Sequence, residues 1–190
     1  MEQRIAQPFI HFAIGSALIL GAYGLSDLLD RFIHPQMLFE IFGSFKLIYL
    51  PHGVQILMTW VYGWMVVPII LPAALLATFL IVDPENFRPA ILLLATLKVI
   101  AIPFTFDLFR LAGIDARGQA MALNWKVLFL IGLVASVFNN LLRFWLACCG
   151  ELSSSELLLS YTGSIIGDMI GVTVVMVGAV VFFRAIRVRN

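Results

Sequence analysis

Apolar runs close to the roughly 20 residues that cross a bilayer as a helix recur along this chain, separated only by short polar breaks. No other feature constrains the fold as strongly. Of 190 residues, 62% are hydrophobic and only 12% charged, whereas a water-soluble domain carries about 25% charged residues. Lipid must therefore solvate most of the surface. Backbone groups facing hydrocarbon have to be satisfied internally, which admits only helices or closed barrels, and runs of this length are helical. The expectation is an all-α polytopic transmembrane bundle forming a single domain over 1–190. It leaves no room for a soluble kinase, cyclase or nucleotide-binding domain within the sequence.

Six spans emerge, at about 8–29, 45–64, 68–82, 89–113, 122–149 and 157–186. A very tight turn at 64–67 joins the second and third. The third carries Pro68 and Pro72, so this pair reads as a hairpin that either crosses twice or returns without a full crossing. The parity of the chain is the same in both cases. The first apolar run exceeds the roughly 7–15 residues of a signal-peptide core and lacks a small-residue cleavage site, so it reads as a span. The stretch 31–44 is amphipathic enough for a short interfacial helix. No internal repeat indicates a duplicated transporter.

Short loops rich in Lys and Arg stay in the cytoplasm. With six spans, the side of the termini collects Arg4, Arg110, Arg117, Lys126 and the late Arg184, Arg187 and Arg189. The other side collects only Arg31, Lys46 and Arg88. Both termini are accordingly expected in the cytoplasm.

Several chemistries are not indicated. The adjacent Cys148 and Cys149 are poorly placed to bond to each other and lack metal-site spacing. There is no nucleophile elbow, helical His pair with a carboxylate, or phosphate loop. No catalytic residue, enzyme activity, metal or cofactor is therefore expected. The dispersed charges form no patch for nucleic acid.

Polar side chains inside spans cost free energy unless they find a partner, water or an interfacial exit. They are the candidates for function: His52 and Gln55 in the second span, Lys98 and Asp107 in the fourth, Asn139, Asn140 and Arg143 in the fifth, and Asp168 in the sixth. Asp107 and Arg110 stand at i and i+3, a spacing that pairs along one helix face. Asn139 and Arg143 share a face, either for interhelical hydrogen bonding or to line a cavity. Gly163, Gly167 and Gly171 fall four apart, which permits close helix approach. Asp168 sits at the edge of that stripe, and Lys98, Arg143 and His52 are available as its partners. Ala13 and Ala17 form a similar small-residue pattern in the first span.

The stretch Leu50-Pro51-His52-Gly53-Val54, followed by Gly63 and Pro68, resembles the hallmark of the bacterial membrane-associated sensor domains of the first class. Gly167-Asp168-Met169-Ile170-Gly171 is similar to a late span of that family. The resemblance implies an integral sensor domain of a bacterial inner membrane that serves signal transduction. It departs at His52, where the family has a small hydroxyl residue, and in having no output domain after its last span, so signalling would pass through a partner protein. Pro51 and Gly53 are expected to relax the second helix beside His52 and Gln55. A small ligand would then bind in an outer polar pocket formed by His52, Gln55, Asn139, Asn140, Arg143 and Asp168. In size, span count and the Ala13/Ala17 pattern the chain is also similar to substrate-binding subunits of energy-coupling-factor transporters. A structural subunit or assembly factor of a larger membrane complex is the third expectation.

Overall fold

The computed structural model describes residues 2–33, 46–82, 84–118, 123–147 and 154–189. These form six α-helices: α1 (Glu2–Ile33), α2 (Leu50–Tyr62), α3 (Val66–Ile81), α4 (Pro89–Leu111), α5 (Trp125–Ala147) and α6 (Ser154–Arg189). Short 3-10 turns occur at Gly63–Met65 and Pro84–Asn86, and there is no strand among the described residues. Five apolar helical runs are long enough to cross a membrane. One of them, Leu50–Ile81, is the α2–α3 pair folded back on itself. The chain is a multi-pass α-helical membrane protein with six helical legs among the described residues.

The fold-back is read from neighbours along α1. Leu50 N–H reaches Ser26 Oγ at 2.9 Å, whereas Tyr62, at the other end of α2, meets His11 at 2.8 Å. Helix α2 therefore runs antiparallel to α1. Ser16 Oγ reaches the Ile69 carbonyl, and Tyr23 and Thr78 line one cavity, so α3 runs parallel to α1. Gly63 makes the reversal, with φ at +55°, a conformation that costs a residue with a side chain. Pro68 lies in the first turn of α3, where its missing N–H leaves no helical bond unmade.

The boundaries shift in an informative way. The second helix begins at Leu50, not at 45, and Lys46–Tyr49 precede it as irregular backbone. Pro51 stands at the first positions of α2, where proline starts a helix. It does not interrupt one, as the sequence reading expected. The fourth helix ends at Leu111, and the sixth begins at Ser154. The expected interfacial helix (apart from its first three residues, which end α1), Cys148 and Cys149 lie outside the described residues.

Five helices stand side by side in the order α6, α5, α4, α3, α1, and α2 packs inside against all five. Eight of its 13 residues are buried. A helix of that length rises about 20 Å, short of the roughly 30 Å hydrocarbon core. Such a leg is tolerated where protein, not lipid, surrounds it. Two clusters flank it. Ile56 joins Ile102, Phe106, Leu128, Ile131 and Val172 on one side; Met58 joins Ile19, Val66, Ile70, Ala74 and Val99 on the other.

Apolar contact alone does not drive helices together in lipid, so close packing and hydrogen bonds must do so. The outer surface is correspondingly apolar, with Phe9 73% and Leu80 70% exposed, while Thr59 and Ser136 are fully buried. At the end that holds the hairpin tip, Asp107 pairs with Arg117 and accepts the Trp64 indole N–H at 2.6 Å. The Gly118 N–H adds a bond to the Trp60 carbonyl at 2.9 Å. Asp107 is thus not the partner of Arg110, whose guanidinium lies 3.8 Å from Asp115. The loop after α4 reaches the carboxylate first and clamps the hairpin tip.

Candidate functional site

The site begins with a glycine groove on α6. A Cβ at Gly167 would overlap the Lys46 carbonyl oxygen, and one at Gly171 would overlap the Tyr49 carbonyl oxygen. A Cβ at Gly53 would come within 2.8 Å of the Gly171 carbonyl oxygen and 3.0 Å of the Val172 backbone. The irregular segment 46–49 and the first turn of α2 therefore lie directly on the α6 backbone. Tyr49 N–H donates to the Gly167 carbonyl at 3.1 Å, which anchors the segment. Gly53, Gly167 and Gly171 meet in one packing unit, with Pro51 buried in the same first turn of α2.

Beside that groove, α5 and α6 present a polar face. Ser136, Asn140 and Arg143 recur at helical spacing on α5, and Ser164 and Asp168 stand four apart on α6. Asp168 Oδ2 accepts from Ser136 Oγ at 2.6 Å and from Asn140 Nδ2 at 3.2 Å. Asn140 Nδ2 also bonds the Ser136 carbonyl at 2.9 Å. Arg143 donates to Ser164 Oγ at 3.2 Å. The partners of Asp168 are thus a hydroxyl and an amide on the facing helix; none of the expected Lys98, Arg143 and His52 bonds it directly.

Asn140, Arg143, Ser164 and Asp168 line a cavity of about 370 Å³, together with Lys46, Tyr49, Val82 and Lys98. A second lobe of about 300 Å³ shares Lys46, Tyr49, Val82, Lys98 and Arg143 with the first. It continues past Ile81, Ile91 and Leu94, between the end of α3 and the start of α4. Such volumes suit a small ligand, and mixed apolar walls with a few convergent polar groups are typical of ligand sites. Lys46 is held by Asp27 at 3.1 Å. The Lys98 ammonium stands 5.7 Å from the centre of the Tyr49 ring, a cation–π distance. The Tyr49 hydroxyl in turn donates to Tyr23 at 3.1 Å.

Of the six residues expected at the outer pocket, the structure gathers Asn140, Arg143 and Asp168 at one cavity and directs the other three elsewhere. His52 is buried, and its Nε2 donates to the Gly132 carbonyl at 3.0 Å, which joins α2 to α5. Gln55 is buried on the same helix. Asn139 is buried, and its Oδ1 has no hydrogen-bond partner among the described residues. None of these three is among the lining residues of either lobe. Ser136 and Ser164 do not stand out in the sequence, although each lies four residues before a polar candidate, Asn140 and Asp168. Lys46 and Tyr49 carry no such signal, because irregular backbone brings them in. No group of three or more His, Cys, Asp or Glu side chains able to hold a metal occurs among the described residues.

Compared with known proteins, the chain matches no family model, no curated protein and no solved structure.

Proposed function

We propose that this protein is a ligand-binding membrane receptor of the sensory type, resident in a bacterial plasma membrane with both termini in the cytoplasm. The observation that carries the reading is the cavity where Asn140, Arg143 and Asp168 meet Lys46, Tyr49 and Lys98. Charged side chains at membrane depth are expensive, and Lys98 and Asp168, well inside α4 and α6, line a cavity, the usual mark of a binding or conduction site. Two further features support a receptor. The segment that closes the cavity is continuous with the central helix α2, and α2 leads straight to the hairpin tip. That tip is tied to Asp107 and the α4–α5 loop, so a ligand contacting Tyr49 has a packed route to the opposite end. The surplus of Lys and Arg at that end supports its cytoplasmic placement.

A second reading, a substrate-binding subunit of an energy-coupling transporter, is favoured by Ala13 and Ala17. Both are exposed on α1, where small residues admit a partner helix closely. One experiment separates the readings. The protein is purified from native membranes in mild detergent, and everything retained is identified by native mass spectrometry. A receptor retains a small molecule that Asn140→Leu releases, together with a signalling enzyme. A transporter subunit retains a membrane coupling protein and its ATPases. A stoichiometric large complex, unchanged by Asn140→Leu and without any bound small molecule, would overturn both in favour of a structural subunit.

A further inference from the structure

Among the described residues the charges around the cavity do not balance, and the imbalance has a sign. Three cations line the two lobes, Lys46, Lys98 and Arg143, against one carboxylate, Asp168. Lys46 pairs with Asp27, whose other oxygen holds the exposed Arg31 away from the cavity lining. Asp168 has its own donors in Ser136 and Asn140. Among the described residues no carboxylate lies within 4 Å of the Lys98 ammonium or the Arg143 guanidinium. Among the described residues Lys98 meets the face of Tyr49, and Arg143 spends one N–H on the neutral Ser164 hydroxyl. Counting Lys98 and Arg143 against Asp168 leaves one positive charge in excess.

We propose that the cavity binds the head group of an amphiphilic monoanion, a carboxylate or phosphodiester carried on an apolar body; this rests on the reading that the cavity is a ligand site. The guanidinium is a planar fork of N–H donors suited to two oxyanion oxygens, and the Lys98 ammonium adds a compact charge on the same cavity. An uncompensated cation at this depth is costly, and an oxyanion between the two offsets that cost. Both cations belong to the boundary shared by the two lobes. A head group held there leaves its apolar body the second lobe, walled by Ile81, Ile91 and Leu94. That lobe runs between α3 and α4, where Ile81 is 39% exposed, so a longer chain has a lateral way out into lipid. Asp168 limits the charge: a dianion would bring a second negative group against it.

The test uses the full chain in neutral detergent, with binding of decanoate followed by calorimetry and by thermal shift. Acetate supplies the head without the body, and decanol the body without the head. Decanoate should bind, and both controls should bind at least about tenfold more weakly. Arg143→Met and Lys98→Met should each weaken decanoate at least about tenfold, while Arg143→Lys retains part of the affinity. Asp168→Asn should tighten it, because the repelling charge is gone while the amide oxygen still accepts from Ser136; this variant decides the matter if the methionine variants fail to fold. Native mass spectrometry in mixed nanodiscs then gives the source. Retention of phosphatidylglycerol over phosphatidylcholine assigns the anion to the bilayer, and decanoate binding without lipid retention assigns it to the aqueous phase. Decanoate affinity unmoved by all four variants, or equal affinity for decanol, overturns the proposal. A retained neutral or cationic molecule that Asn140→Leu releases would overturn it too, yet leave the receptor reading standing. No retained molecule and no binding at all would remove both.

Discussion

Tyr49 donates its backbone N–H to the carbonyl oxygen of Gly167 at 3.1 Å, so a non-helical segment is hydrogen-bonded to the middle of a membrane helix. That bond is possible only because neither Gly167 nor Gly171 has a side chain where segment 46–49 crosses α6. It also fixes Lys46 and Tyr49 over the cavity. A stretch of backbone that would be intolerable against lipid is satisfied here by a helix that lends it a carbonyl.

The groove predicts a sharp contrast among glycines of one helix. Gly171→Ala places a Cβ against the Tyr49 carbonyl, an overpacking that costs about 1–3 kcal/mol or more. At Gly178 nothing lies within 4 Å of an added Cβ, and alanine favours the helix by roughly 1 kcal/mol. Thermal melting in detergent should fall clearly for Gly171→Ala and hold or rise for Gly178→Ala. Equal melting of the two variants would argue against the packing described.

His52 is expected to serve stability and not recognition. Its bond to the Gly132 carbonyl at 3.0 Å is buried, and replacing it by alanine removes that bond and leaves a void. The loss should be about 2–4 kcal/mol. Ligand retention per folded molecule should be unchanged in His52→Ala, as read by native mass spectrometry on the monodisperse fraction.

At the opposite end, Asp107 holds both Arg117 and Trp64. Asp107→Asn weakens a charge-assisted pair that is half-buried, and hydrogen bonds to charged groups contribute about 1.5–3 kcal/mol. Limited proteolysis should cleave the α4–α5 loop faster in this variant, with little change in cavity occupancy. A protected loop would mean that the Gly118 bond to Trp60 alone suffices to hold it.

The orientation is open to chemical labelling. In a chain with Cys148 and Cys149 changed to serine, single cysteines are introduced by Glu85→Cys or Lys126→Cys. An impermeant maleimide added to intact cells should label the first position and spare the second. The reverse pattern would place the termini outside.

How far the sequence reached follows from the kind of physics each feature depends on. Membrane insertion, helix content and a tight turn between the second and third spans, expected at 64–67 and found at 63–65, rest on local quantities: apolar run length, charge content and polar breaks such as Asp83-Pro84. These are written in consecutive residues, and six helical legs follow from them. The polar candidates were also legible, because a polar residue in an apolar run stands out whatever surrounds it.

Their division into two roles was not. His52 and Gln55 lie inside the bundle because α2 is the central leg, a position set by which helices pack together and not by anything in 50–62 alone. Asp168 found Ser136 and Asn140, not a cation, because the α5–α6 contact brings those two side chains to it. Hydropathy alone placed residues 45–49 in a span. Only the tertiary structure decided that Lys46 and Tyr49 leave the helix, cross two glycines of α6 and close the cavity. The reason is steric and non-local: the groove exists only once two segments more than a hundred residues apart lie against each other.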